Sequence, residues 1–405
     1  MRTRWALAGV LAATWIAAMA IACSDDSLDG KAFGDPGAGS GSDASTFPPD
    51  ENGGFGQASG VVIVHAAAFP SFRLCFEKLP ELRPQPDSTV MPEANVVGVE
   101  VGSAVRIDPI QPPGKVYVIS ERRIRTTLGK EQPTCGQLIC DGVGCLRKNA
   151  DYHEVAPIDT PLGQESVHVL AITGCGNGVF LEELKISSSD CVEDYDPVNG
   201  SLRARAIPLF PASFATEKNI PVQLLHMSTP LQAETKNGTI DVSFGALVDA
   251  GADGGFQNVA LSPKLFAPSE QVSLAVDQTI PSFYGTHGFR IGIRTGTSVA
   301  DAGDGGPTTG PTTLTTVLTQ SLAEVQELSA PGSVPTAYYL SASNYALLLL
   351  GDSRIRQRLA DGGPNPDFDQ RRALHLLALP IKEPKDGGTS SGGGDLPLDL
   401  DASDQ

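Results

Sequence analysis

Short runs of β-branched and aliphatic residues recur through residues 59–382, separated by Pro, Gly or Asn-Gly turns. The runs are GVVIVH, RLCFE, VVGVEV, KVYVIS, HVLAITG and RARAIPL, followed by VQLLH, TIDVSFG, VSLAV, FRIGI, YALLLL and ALHLLALPI. Runs of this length bounded by turn residues are typical of β-strands. Helical periodicity is brief, at residues 318–328 and 355–359. The pattern therefore predicts an all-β protein.

The same order of landmarks occurs twice along this region. A strand ending in His is followed by a later strand ending in Gly, and then by a strand that contains Pro. The paired residues are His65 and His226, Gly174 and Gly351, and Pro208 and Pro380. We therefore predict two related domains, residues 59–211 and 218–382, each built mostly from strands. The pattern favours two tandem immunoglobulin-like β-sandwiches.

Several segments resemble a known bacterial surface domain. HAAAFPSF and HMSTPLQA each place small residues and Pro after a strand-end His, and TIDVSFG follows in the second copy. PPGKVYVIS and HVLAITG add a Pro-Gly before a Tyr-containing strand and a late strand ending in Gly. Together these segments resemble the family called domain of unknown function 4397, although the family's usual Asp-Ala after the Pro is missing. The resemblance implies a sandwich fold and an extracytoplasmic setting, and it implies no reaction.

The N-terminus has the layout of a bacterial lipoprotein signal. Arg2 and Arg4 precede an uncharged apolar stretch, residues 5–22, which is typical of a secretory signal peptide. The last residues of this stretch and the residue after it, Ala20-Ile21-Ala22-Cys23, resemble a lipobox, in which the cysteine is acylated and becomes the new N-terminus. We therefore predict a signal peptide at residues 1–22 and a lipid, including palmitate, on Cys23. An uncleaved membrane anchor is the alternative.

Composition sets apart both ends of the chain. Residues 23–58 and 383–405 are rich in Gly, Ser, Asp and Pro and poor in aliphatic residues, which predicts a disordered tether and a disordered tail. Removal of Arg2 and Arg4 with the signal changes the formal net charge from −18 to −20. Such acidity excludes nucleic acid as an expected partner. The predicted location is the cell envelope, at the outer membrane or the cell surface, with attachment to the membrane through the lipid.

The remaining cysteines all fall in the first predicted domain, and their number is even. In an exported chain they predict disulfides rather than a zinc knuckle, whose cysteines lie two to four residues apart. We expect one disulfide to close the segment after the strand HVLAITG. We expect a second to reach the TCGQLICDGVGC cluster, whose other two cysteines pair locally. The candidates are Cys75, Cys135, Cys140, Cys145, Cys175 and Cys191, with Cys175 paired to Cys191.

Motifs that carry chemistry are incomplete in this sequence. His153-Glu154 begins like the HExxH zinc motif, but Pro157 stands where the second His is needed. The stretch GCGNG at 174–178 lacks the Lys of a phosphate-binding loop and predicts a β-turn. His65 and His226 have no adjacent ligands, and we interpret each as a strand-end His hydrogen-bonded to backbone. The sequence therefore predicts no catalytic residue, no bound metal and no cofactor.

Three hypotheses for function remain open. The first is a non-catalytic, lipid-anchored envelope protein whose sandwich loops bind a protein or glycan partner. The second is an envelope enzyme with a site between the domains, and the third is a purely structural envelope component. A cleft with converging carboxylates or histidines would distinguish the second hypothesis from the first.

Overall fold

The computed structural model describes the region from residue 60 to residue 382. The gaps in this region are 78–97, 108, 129–133, 141, 165, 192–193, 210–217, 236–237, 248–254, 278–279, 296–297, 300–307, 310–312, 341–343, 358–362, 364 and 367. The predicted signal peptide, Cys23, the tether and the tail therefore lie outside the described residues. No helix in the described region is both long enough and apolar enough to cross a membrane.

The first half of the described chain, residues 60–209, consists mainly of strands. They are β1 (Val61–Ala68), β2 (Phe72–Phe76), β3 (Ala104–Ile107), β4 (Gly114–Ser120), β5 (Tyr152–Ile158), β6 (Val167–Cys175) and β7 (Arg203–Leu209). Its short helices are α1 (Glu121–Leu128), α2 (Cys135–Leu138) and α3 (Gly178–Leu184), followed by a 3₁₀ turn (Ser188–Asp190).

The second half, residues 218–382, has the same character. Its strands are β8 (Asn219–His226), β9 (Thr239–Ala246), β10 (Gln257–Leu261), β11 (Pro268–Ala275), β12 (His287–Thr295), β13 (Ser298–Val299), β14 (Thr308–Thr309), β15 (Thr313–Ser321), β16 (Asn344–Leu350) and β17 (His375–Lys382). Its helices are α4 (Thr229–Glu234), α5 (Phe283–Thr286), α6 (Leu322–Ser329) and α7 (Pro335–Leu340).

One sheet of each half has the same topology. The first half contains the order β3-β1-β6-β7, and the second contains β11-β8-β16-β17. In each sheet the two central strands are parallel and the outer pairings are antiparallel. The registers also correspond, because His65 lies opposite Ile172 and His226 lies opposite Leu349, each two residues before the landmark Gly. The paired landmarks of the sequence thus occupy equivalent positions.

The sheets stack face to face in layers. The sheet β2-β4-β5 covers one face of the first central sheet, and β10-β9-β12-β15 covers one face of the second. The two central sheets pack on each other through their remaining faces. Along β1, Ile63 points into the core of its own half, whereas Val62 and Val64 contact the other half. Both faces of the central strands are therefore buried, which explains their continuous apolar runs.

The all-β sandwich architecture is confirmed by this arrangement. The immunoglobulin-like topology is not confirmed. Immunoglobulin sandwiches consist of two antiparallel sheets, whereas each central sheet here contains a parallel pair, β1 with β6 and β8 with β16.

Several local predictions differ from the structure. The described part of the run VVGVEV, residues 98–101, forms an isolated bridge at Val99 and then a turn, where Gly98 and Gly102 have φ values of +71° and +67°. The helical pattern at 318–328 is divided between strand and helix. The strand β15 continues to Ser321, where a capping box with Glu324 starts α6. Residues 355–357 form no helix.

Candidate functional site

The ends of the central strands surround a cleft between the two halves. The cavity has a volume of about 410 Å³ and is lined by residues 66–68, 174–175, 227–230 and 351–352, among others. These segments lie at the carboxyl ends of β1, β6, β8 and β16. Because β1 runs parallel to β6, and β8 parallel to β16, the carboxyl ends in each pair lie at the same edge of their sheet. We call this cavity the inter-half cleft.

Gly174 and Gly351 are required at equivalent points of the cleft wall. Their φ values are +87° and +85°, in the left-handed region that favours glycine. A Cβ atom on Gly174 would lie 2.2 Å from the Ser201 carbonyl oxygen, and one on Gly351 would lie 2.0 Å from that of Ala373. Both positions therefore exclude any larger residue.

His65 and His226 lie in the cores of their own halves. The His65 ring donates through Nε2 to the Pro70 carbonyl oxygen at 3.1 Å and packs on Phe72, with ring centroids 4.6 Å apart. This agrees with the interpretation of His65 as a backbone-bonded histidine. His226 differs, because neither of its buried ring nitrogens has a hydrogen-bond partner.

Burial dominates the titration of both histidines. It lowers the pKa of His65 to about 4, against the opposing effect of backbone hydrogen bonds at Pro70. Burial also lowers the pKa of His226 to about 4, although the side chain of Gln232 acts in the opposite direction without making a well-formed hydrogen bond to the ring. Both rings are therefore neutral at pH 7.

An arginine joins the two halves across the cleft. Arg354 binds Asp352 of its own half, with 2.7 Å between Nη2 and Oδ2, and also binds Asp190 of the first half. The hydrogen bonds that Arg354 donates to Asp352, and then the one that it donates to Asp190, hold the pKa of Arg354 above its ordinary value. Both carboxylates in the cleft lining therefore bind the same guanidinium, and the three side chains together carry one net negative charge.

Two further cations line the cleft, one from each half. Lys185 follows α3 with a φ of 55°, and its backbone N–H donates to the Glu182 carbonyl oxygen at 3.1 Å. Arg372 precedes β17, and its carbonyl oxygen accepts from the Asp352 N–H at 2.9 Å. Within the described residues, neither side chain forms an ion pair.

A histidine and a second arginine also connect the halves beside the cleft. His375 of β17 has Nε2 at 2.8 Å from the Gly102 carbonyl oxygen and Nδ1 at 2.7 Å from that of Ala373. Burial lowers the pKa of His375, and the two carbonyl contacts oppose that shift. Arg371 forms a 2.7 Å ion pair with Glu100. These contacts hold Gly102, a cleft residue, in place.

The disulfide between Cys175 and Cys191 forms part of the cleft wall. The sequence favoured this pair. It spans 16 residues, and closing a loop of that length contributes about 3 kcal/mol by restricting the unfolded chain. The closed loop also carries Asp190, so the disulfide limits where the carboxylate that binds Arg354 can lie.

The other described cysteines also pair as the sequence suggested. Cys75 on β2 pairs with Cys135 at the start of α2, and both are buried. Cys140 and Cys145 pair locally. These two disulfides lie in or next to a small apolar cluster, away from the cleft lining.

The sequence motifs give no metal or phosphate site in the described residues. His153 lies on strand β5 and is buried beside Phe180, with ring centroids 5.4 Å apart. The β-turn predicted for GCGNG is wrong, because the stretch joins β6 to the seven-residue helix α3. Nowhere in the described part of the chain do three metal-ligating side chains come together.

The charged residues of the cleft were not recognised from the sequence. They form no spaced motif: Lys185 and Asp190 come from the connection between β6 and β7, and Arg354 and Arg372 come from the connection between β16 and β17. The available signal was the paired ending of strands at Gly174 and Gly351, which marks the edge where the loops meet. In comparisons with known proteins, no family model and no curated protein matches the chain.

Proposed function

We propose that this protein is a non-catalytic, lipid-anchored protein of the bacterial cell envelope that binds its partner in the inter-half cleft. The observation that carries the proposal is the cleft itself, which is built from equivalent strand ends of both halves. Its volume of about 410 Å³ lies in the range of small-molecule sites, so a small ligand, or a protruding group of a larger protein or glycan, would fit.

The charge arrangement in the cleft supports binding over catalysis. A general base or nucleophile needs a group that is free to react with the substrate. The carboxylates that line the cleft, Asp190 and Asp352, are both engaged by Arg354. This disfavours acid–base catalysis by a carboxylate in the cleft.

Surface composition supports recognition through the cleft. Neutral sugars are often bound by stacking on exposed aromatic rings. Among the described residues, the large apolar side chains that are exposed are aliphatic and separated in sequence: Val143, Val179, Val198, Leu261, Ile280 and Val334. These side chains offer no aromatic ring on which a sugar could stack, which leaves the cleft as the better candidate for binding. A purely structural envelope role, the remaining alternative, would give the cleft no ligand.

The envelope location rests on Cys23. We expect the mature protein to begin at Cys23 and to carry two or more acyl chains, because small residues precede this cysteine and two or more chains give stable anchoring. Intact mass spectrometry of the membrane-extracted protein measures this. A chain that retains residues 1–22, or an unmodified Cys23, would contradict the proposed anchoring.

The cleft can be tested by filling it. Ile355 lines the cleft and Val334 is exposed outside its lining, so Ile355→Trp and Val334→Trp introduce the same bulky ring at different sites. In a screen of glycans and small metabolites against the full chain, we expect a ligand whose affinity falls at least tenfold in Ile355→Trp and is unchanged in Val334→Trp. The proposal fails if no ligand is found, or if Ile355→Trp binds normally.

A further inference from the structure

We infer that the inter-half cleft binds a small organic anion, the size of a sugar acid or an amino acid, that carries one carboxylate or phosphate group. This inference rests on the function proposed above and adds the chemical class of the ligand. It follows from the charge, the wall chemistry and the position of two cations.

The cleft has a surplus of positive charge. Its lining contains the cations Lys185, Arg354 and Arg372 and the carboxylates Asp190 and Asp352. Three cations and two carboxylates leave one positive charge in excess. Arg354 binds both carboxylates, so Lys185 and Arg372 are the two cations that these carboxylates do not engage. Neither has an ion-pair partner in the described part of the chain. The whole sequence has 29 basic and 47 acidic residues, so this local balance is opposite to that of the chain.

The two cations come from opposite halves and have fixed backbones. The turn after α3 holds Lys185, because Lys185 N–H donates to Glu182 and Ile186 N–H donates to Leu181. Arg372 is held by its carbonyl contact with Asp352. An anion between these side chains would be bound by both halves. Arg also offers paired donors that fit a carboxylate or a phosphate.

The rest of the wall is suited to a carbon skeleton. Residues 66–68 are alanines, and Ile186, Met227 and Ile355 add larger apolar side chains. An apolar wall with a few polar groups is the usual composition of a small-molecule site, in which the polar groups set the orientation of the ligand. A free inorganic ion would leave this apolar wall uncovered.

Matched probes test the inference on the full chain. We expect glucuronate to bind in calorimetric titration and glucose, its neutral counterpart, to show at least tenfold weaker binding. The double variant Lys185→Gln/Arg372→Gln should lose at least tenfold in glucuronate affinity. Lys264→Gln, which removes an exposed charge outside the cleft lining, should keep it. Equal melting temperatures would show that all variants fold.

Glucose 6-phosphate separates the two anionic groups. Tighter binding of glucose 6-phosphate than of glucuronate identifies a phosphate ligand, and the reverse preference identifies a carboxylate ligand. Both results support the inference. Equal affinity for glucose and the two anions, no binding of either anion, or full binding by the double variant would overturn it. If Ile355→Trp still abolishes binding of a neutral ligand, the proposed function stands while the anionic class is wrong.

Discussion

Replacement of Glu121 by alanine is expected to lower the free energy of unfolding by about 3–5 kcal/mol. Glu121 begins α1 and forms an ion pair with Arg73 on β2, and the two residues are only 6 % and 2 % exposed. Without Glu121, the Arg73 guanidinium stays buried with its carboxylate partner removed. Denaturant unfolding monitored by circular dichroism measures the loss, with the disulfides kept intact.

Two controls show whether buried charge is the cause. Arg122→Ala removes an exposed ion pair with Glu183 and is expected to cost at most about 1 kcal/mol. The double variant Arg73→Leu/Glu121→Leu removes both charges, and we expect it to recover most of the stability lost in Glu121→Ala. If the double variant is less stable than Glu121→Ala, loss of the Glu121 carboxylate beside the buried Arg73 charge is not the main cause.

Acidification from pH 6.5 to pH 4 is the second change with a large expected effect. Burial lowers the pKa of His65, His153 and His226 from 6.5 to about 4 in the folded protein. Over this window the unfolded chain binds protons that the folded protein does not, so stability falls as the pH falls. Each histidine contributes a loss of about 3 kcal/mol once the pH is below 4. Unfolding curves at a series of pH values measure the slope.

The two equivalent histidines provide a matched pair. His65→Leu and His226→Leu should each reduce the loss of stability on acidification by about 3 kcal/mol, the contribution of one histidine. At pH 7 their effects should differ, because His65 donates to the Pro70 carbonyl oxygen whereas the His226 ring has no hydrogen bond. We expect His65→Leu to cost about 1–3 kcal/mol and His226→Leu to be nearly neutral or stabilising. If the dependence of the unfolding free energy on pH is unchanged in both variants, the buried histidines are not its cause.

The repeat explains why a cleft forms at this position. In each half the parallel strand pair has a His on one strand and a Gly at or just after the carboxyl end of the other, and stacking of the two central sheets brings all four strand ends to one cavity. The loops beyond those ends differ between the halves. The first half supplies Lys185 and the disulfide-closed loop with Asp190, and the second supplies Arg354 and Arg372. Equivalent frameworks therefore carry different chemistry to a shared site.

Much of the framework could be read from the sequence because the signals are local. The continuous apolar runs of β1, β6 and β16 indicate strands. Gly174 and Gly351 mark equivalent positions of the repeat because their backbone conformation allows no larger residue. The strand β5 was missed because YHEVAPI contains a Glu and a Pro. The break at Val99 was missed because the flanking glycines adopt positive φ, which the run VVGVEV does not reveal.

The sequence by itself determined the β-rich class of the protein, the paired landmarks and an even set of disulfide candidates, because each depends on neighbouring residues or on counting. Only the tertiary structure decided which faces of the strands meet and which charges share the cleft. Asp190 and Arg354 are 164 residues apart, and no local periodicity links them. Their contact arises because sheet stacking buries Val62 and Leu348 in one apolar layer, and that stacking brings the loops together.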